Sequence, residues 1–125
     1  MILGDDVQLK LFVIPLTAVQ DSENDYVFAV QNAAGADVDV TTGWDAKFFI
    51  SSLAQPDKAG PLLTVNTAGM TMGNGQIALT LPPGLVNTVH TGSFGWQLNV
   101  SNDAFAADNH NIGSGQIAVV PQFYQ

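Results

Sequence analysis

Apolar side chains recur at every second position in run after run of this chain, which commits those runs to strands with one buried face. "WDAKFFIS" sets Trp44, Ala46, Phe48 and Ile50 on one side, with Asp45, Lys47 and Ser51 on the other. "GQIALTL" aligns Ile77, Leu79 and Leu81, and "SFGWQLNV" aligns Phe94, Trp96, Leu98 and Val100. "YVFAVQ" does the same with Tyr26, Phe28 and Val30, runs into the turn residues "NAAG", and is followed by "ADVDV". "LLTVNT" reads as a short strand after the loop "AQPDKAGP", and "QIAVV" as the last strand. Only "PPGLVNTV", Pro82 to Val89, has the prolines to open a helical turn, with too few residues behind them to extend it. Seven or eight short strands, spaced roughly 8–12 residues apart with turn signals between them, predict an antiparallel all-β sandwich. The predicted core is Trp44, Phe48, Ile77, Leu79, Phe94, Trp96 and Leu98.

The first strand departs from that pattern. In "VQLKLFVI", Val7, Leu9, Leu11 and Val13 alternate with Gln8, Lys10, Phe12 and Ile14, so its second half is apolar on both faces. Lys10 is the single charge between Val7 and Asp21, whereas exposed edge strands are normally defended by charge. Both faces of this arm require cover. The cover is a neighbouring subunit, the domain's own sheet edge, or the rest of a sandwich of which the arm is simply the first strand. "QDSEND", Gln20 to Asp25, reads as an acidic linker, which divides the chain into an arm and linker over residues 1–25 and a sandwich over 26–125.

A glycine motif occurs twice, as "GNGQIALTLP" from Gly73 and "GSGQIAVVP" from Gly113. A phosphate-binding loop needs a helix after its glycines and usually a lysine, and both copies lead instead into alternating strand sequence. A stacked repeat is not expected, because the flanking residues do not match and one recurrence falls short of the three units such arrays require. Gly73, Gly75, Gly113 and Gly115 are therefore read as turn residues that launch strands.

Charge narrows the partners. The chain carries Lys+Arg 3 against Asp+Glu 11, a net charge of −8, and its cations are three lysines. Neutralising phosphates takes cations this chain lacks, so nucleic acid and anionic membrane surfaces are not expected partners. The N-terminus "MILGDDVQLK" has no basic, apolar signal pattern, and the longest fully apolar stretch, "LFVIPL", is far below the roughly 20 residues of a membrane helix. The expectation is a soluble product with no secretory signal.

Catalytic constellations are sparse, and no enzyme is expected. With no cysteine, thiolate sites are impossible. The two histidines lie in "NTVHTG" (His90) and "ADNHNIG" (His110). His110 with Asp108 and Asp103 offers imidazole and carboxylates to a metal, but the Asn/Asp-rich stretch "SNDAFAADNHN" reads equally as a polar hairpin connection. The acids Asp5, Asp6, Asp21, Glu23, Asp25, Asp37 and Asp39 nowhere take calcium-loop spacing. No cofactor and no metal are predicted. Trp44 and Trp96 admit a sugar-platform role, yet each is in phase with the apolar positions of its own strand.

From Tyr26 to Val120 the order of these pieces resembles the immunoglobulin-like β-sandwich module of tailed-phage virion proteins, as in the N-terminal domain of upper baseplate proteins. The matching pieces are the hairpin from Asn32 to Asp39, the strand opened by Gly43-Trp44, "MGNGQIALTL", "PPGLVNTV", "TGSFGWQLNV", and the closing strand "GSGQIAVV". "VDVTTGW" carries one residue more before its glycine than the family pattern, and Met1 to Asp25 lie outside the match. The resemblance implies a noncatalytic structural component of the virion: a head decoration or cement protein, or a tail or baseplate accessory. It would be made in the host cytoplasm, bind other virion proteins and form homo-oligomers. Leu9, Leu11, Phe12, Val13 and Ile14 are the candidate assembly interface. The alternative is a carbohydrate-binding or adhesion module at a tail tip or cell surface, and more distantly a small hydrolase.

Overall fold

The computed structural model describes residues 9–52, 61–102 and 105–121, with the backbone alone at 61, 68, 102 and 105–110. The described chain is an all-β sandwich of nine strands in two sheets. In chain order they are β1 (Phe12–Val13), β2 (Leu16–Val19), β3 (Asn24–Ala29), β4 (Trp44–Ser51), β5 (Pro61–Asn66), β6 (Met70–Met72), β7 (Gln76–Leu81), β8 (Gly92–Asn102) and β9 (Phe105–Val120). The larger sheet has the order β1-β9-β8-β4-β5, with β2 also on β9, and the smaller has the order β3-β7-β6. A 3-10 turn, Thr67–Gly69, precedes β6, and a one-turn helix α1, Pro83–Val86, follows β7.

Alternation places the core as the sequence predicts. Ala46, Phe48 and Ile50 of β4 face inward against Phe94, Trp96, Leu98 and Val100 of β8, and Ile77, Leu79 and Leu81 of β7 close the opposite side. Phe28 from the small sheet meets Trp96 and Phe48 from the large one at centroid separations of 5.3 and 6.3 Å, so an aromatic cluster joins the two sheets at their centre. Each fully buried side chain of this size contributes roughly 1.5–3 kcal/mol by leaving water. Six of the seven predicted core residues are buried; Trp44, at the start of β4, is half-buried and packs against the cluster from its rim. Pro83 opens α1 with its fixed φ, and Val86 and Val89 turn into the core.

Three stretches differ from expectation. From Leu9 on, where the described residues begin, the arm is not one continuous strand: it runs as two short strands on either side of Pro15, because proline supplies no N–H to the ladder. Both pair with β9 in parallel, whereas every other pairing among these strands is antiparallel. "ADVDV" is not a strand but a crossing segment, bridged alternately to both neighbours through Gln31↔Asp37 and Asp39↔Asn74. The last strand does not begin at Gln116. It begins at Phe105, and "FAADNHN", read as loop, continues the ladder with β8 through two register shifts, at Leu98/Asn99 and Ser101/Asn102. Asn, Asp and Ala are poor strand formers, so this extension is held by pairing and not by propensity.

Candidate functional site: the arm-docking edge

The two glycine motifs have unlike settings. Gly75 is at a bend before β7 with φ +81°, a left-handed conformation that glycine alone adopts freely. Gly113 and Gly115, by contrast, are not turn residues. They lie inside β9, opposite Leu98 and Trp96 of β8. Alternate residues of a strand share a face, so these two glycines strip one face of β9 bare, and the Trp96 indole fills the space. A Cβ on Gly113 would stand 2.7 and 2.8 Å from the indole ring carbons Cη2 and Cζ3.

That bare face is where the arm docks. A Cβ on Gly115, whose φ is +147°, would fall onto the Ile14 carbonyl oxygen and stand 3.2 Å from Trp96 Nε1. In its absence the Ile14 carbonyl accepts a hydrogen bond from Trp96 Nε1 at 3.0 Å, and Ile14 N donates to the Ser114 carbonyl at 3.1 Å. A core side chain, 2% exposed, therefore holds a backbone carbonyl of the arm. Trp96 offers no ring surface to a sugar.

Beyond Pro15 the arm is sealed. β2 follows β9 from Leu16↔Ile117 to Val19↔Val120, Ala18 is buried, and Gln20 N donates to the Val120 carbonyl at 2.9 Å. Its outer edge meets side chains of β3: Asn24 accepts from Val19 N at 3.0 Å and donates to the Val19 carbonyl at 2.9 Å, while the Tyr26 hydroxyl donates to the Thr17 carbonyl at 2.6 Å. Desolvation pushes the Tyr26 phenol up to about 12, which keeps it protonated as a donor.

Before Pro15 the same arm is open. β1 touches β9 only at Phe12↔Gly113 and Val13↔Ser114, and upstream Lys10 N donates to the Gln31 carbonyl at 2.8 Å as the chain leaves the edge. Of the five candidate interface residues, Leu9 and Phe12 are half-buried, while Leu11, Val13 and Ile14 are 51%, 69% and 40% exposed. The structure thus sets Phe12, Val13 and Ile14 along β9, bridges Leu9 to Asn32 beyond that edge, and leaves Leu11, Val13 and Ile14 facing water. Among the described residues, Val27 and Leu62, on β3 and β5, are the other large apolar residues left exposed.

The remaining candidates are dispersed. The His90 ring is exposed, with Nδ1 2.9 Å from the Thr91 carbonyl and an edge contact to Phe94 at 5.2 Å. Asp103 and the side chains of Asp108 and His110 lie outside the described residues, as do Asp5 and Asp6. Asp21 and Asn87 exchange hydrogen bonds at 2.9 Å, and Asp25 accepts from Thr80 at 2.8 Å. Asp39 accepts from both the hydroxyl and the backbone N–H of Thr41, which holds its carboxyl below the usual range. Among the described residues no three His, Asp or Glu side chains gather as a metal site, and no helix is long and apolar enough to cross a membrane.

Sequence reasoning missed the Trp96 latch and the Asn24 and Tyr26 caps. The latch did leave a sequence signal: glycines two apart inside an alternating run, which denude one strand face and require a bulky neighbour.

No protein-family model matches the chain, and no curated protein is significantly similar to it. Among solved structures, a PapD-like (ASH) domain of human CEP192 is similar at 14% identity and a TM-score of 0.37, over 100% of this chain and 92% of that one.

Proposed function

We propose that the protein is a noncatalytic structural component of a bacteriophage virion that binds neighbouring subunits through the open half of its N-terminal arm. The observation that carries the contact surface is the strip Leu11, Val13 and Ile14, left in water on an edge strand that carries no acidic residue. An uncovered apolar edge is a template for association, and natural sheets ordinarily blunt it with charge. Of the two strands of the arm, β2 is blunted by side-chain caps, which leaves β1 as its open half. The partner that fits is another virion subunit, a second copy included, that lays an apolar surface or an extended strand along β1. The virion setting rests on the sequence resemblance from Tyr26 to Val120.

The test is the double variant Leu11→Asp with Val13→Asp, examined for sedimentation of the isolated chain and for its incorporation into assembling particles. Both side chains are exposed, so the variant should keep its melting behaviour to within about 0.5–1 kcal/mol of stability. The expected result is a folded chain that no longer self-associates or enters particles. Incorporation equal to that of the natural chain overturns the reading.

A further inference from the structure

The sequence contains one Asn-Gly pair, Asn74-Gly75, in the first glycine motif. An asparagine amide is most open to attack by the next backbone nitrogen when that residue is glycine, since no Cβ crowds the approach. Asn74 is exposed, so nothing buries its amide. What restrains it is the crossing segment between β3 and β4. Gly75 N donates to the Val38 carbonyl at 2.9 Å, the Gly75 carbonyl accepts from Val30 N at 2.9 Å, and Val40 N donates to the Gly73 carbonyl at 3.1 Å. Asn74 itself is bridged to Asp39.

We propose that Asn74 is a deamidation site held closed by the docked segment Val38–Val40. In the reaction Gly75 N loses its proton and attacks Asn74 Cγ, forming the new C–N bond of a cyclic imide, while the bond from Cγ to the side-chain nitrogen breaks and ammonia leaves. Water then adds to one imide carbonyl and opens the ring to aspartate or isoaspartate, so the balance is one water in and one ammonia out. In the closed state the Gly75 N–H is committed to the Val38 carbonyl, and the nitrogen is withheld from attack. The reaction proceeds only through the fraction of molecules in which this segment has lifted.

The product would not fit back as before. Aspartate at position 74 adds a negative charge beside Asp39, its bridge partner, and against a segment that already carries Asp37. Isoaspartate adds a carbon to the backbone, which breaks the register of the bridge and of the Gly75–Val38 bond. Modification is therefore one-way and loosens the crossing segment. The second motif has Ser114 at the equivalent position and lacks the amide this chemistry requires.

The experiment follows amide-to-acid mass gain at Asn74 by peptide mapping, in mildly alkaline buffer, for the whole chain when native and when unfolded in guanidinium. The native chain should react at least about tenfold more slowly, as it samples the open segment only rarely. Val40→Ala removes a fully buried contact of the segment and should accelerate both deamidation and hydrogen exchange of the Gly75 amide in parallel. Native reaction at the unfolded rate overturns the proposal, as does a folded Val40→Ala chain that exchanges faster at Gly75 without deamidating faster. Should that variant not fold, the native-to-unfolded ratio alone decides.

Discussion

Gly73-Asn74-Gly75 and Gly113-Ser114-Gly115 precede the same three letters, QIA, yet one marks a bend and the other the interior of a strand. The first owes its glycine to the backbone: Gly75 needs φ +81° where the crossing segment meets the start of β7. The second owes its glycines chiefly to what lies above them, an indole ring over Gly113 and an arm carbonyl against Gly115. The same glycine spacing before the same three residues thus reports two different demands, and the tertiary neighbours separate them. Alanine substitutions at the four glycines convert that difference into a ranked series.

The largest effect is expected at Gly115. Its added Cβ meets the Ile14 carbonyl, which is backbone on both sides of the contact, and its φ of +147° is strained for any other residue. The arm has to move away from β9, breaking the Trp96 to Ile14 hydrogen bond, so Gly115→Ala should cost about 3 kcal/mol or more by chemical denaturation. A loss under about 1 kcal/mol would show that the arm is not latched there.

Gly113→Ala comes next, because its obstacle is a side chain in a packed core and its φ is not left-handed. Overpacking of this kind costs about 1–3 kcal/mol. The two atoms it meets, Cη2 and Cζ3, exist in tryptophan and not in phenylalanine. In a Trp96→Phe background the cost of Gly113→Ala should largely disappear, and a double-mutant cycle measures that coupling. Additive effects would place the strain elsewhere.

This pair also shows how far the sequence could be read. Alternation identified the inward residues of β4, β7 and β8, because burial on one face of a strand fixes side-chain parity and nothing else competes. It did not identify the pairing of β1 and β2, since parallel contact with β9 depends on partners just over a hundred residues away in sequence. Nor did it identify Phe105–Asn111 as strand, where composition favours a loop and the ladder with β8 overrides it. The two-sided apolar character of Leu11 to Ile14 was legible; that Pro15 divides a capped half from an open half needed the positions of Asn24 and Tyr26.

Gly75→Ala is expected to cost about 1–2 kcal/mol, less than either β9 substitution in the natural background. The left-handed φ penalises any Cβ, and the added atom would meet Asp37 Cγ, Cβ and Oδ1 at 2.6, 2.8 and 2.9 Å; the exposed carboxylate can turn aside, whereas Asp37 Cβ moves only with its backbone. Removing the carboxylate with Asp37→Ala should recover the part of the steric cost owed to Cγ and Oδ1 and leave the Cβ contact and the conformational part, readable as a partial restoration of the denaturation midpoint. Full restoration would mean that crowding, and not φ, is the reason for glycine at this bend.

Gly73 closes the series, and its expected effect is the smallest. Its φ is not left-handed, and an added Cβ would find the Gln76 carbonyl oxygen at 3.4 Å and Gln76 Cγ at 3.5 Å, both ordinary contacts. Its N–H to the Gln76 carbonyl, 2.9 Å, and its carbonyl to Val40 N, 3.1 Å, involve backbone atoms that alanine supplies unchanged. What alanine does change is the unfolded chain, which has fewer conformations to lose on folding, a gain of about 0.4–1 kcal/mol where the native geometry is compatible. Gly73→Ala should therefore be neutral or slightly stabilising, in a motif whose other glycine two residues on is costly to replace. A loss of more than about 1 kcal/mol would reveal a constraint at Gly73 that neither its neighbours nor its backbone angles impose, and would return the first motif to the close-packed kind of requirement that governs the second.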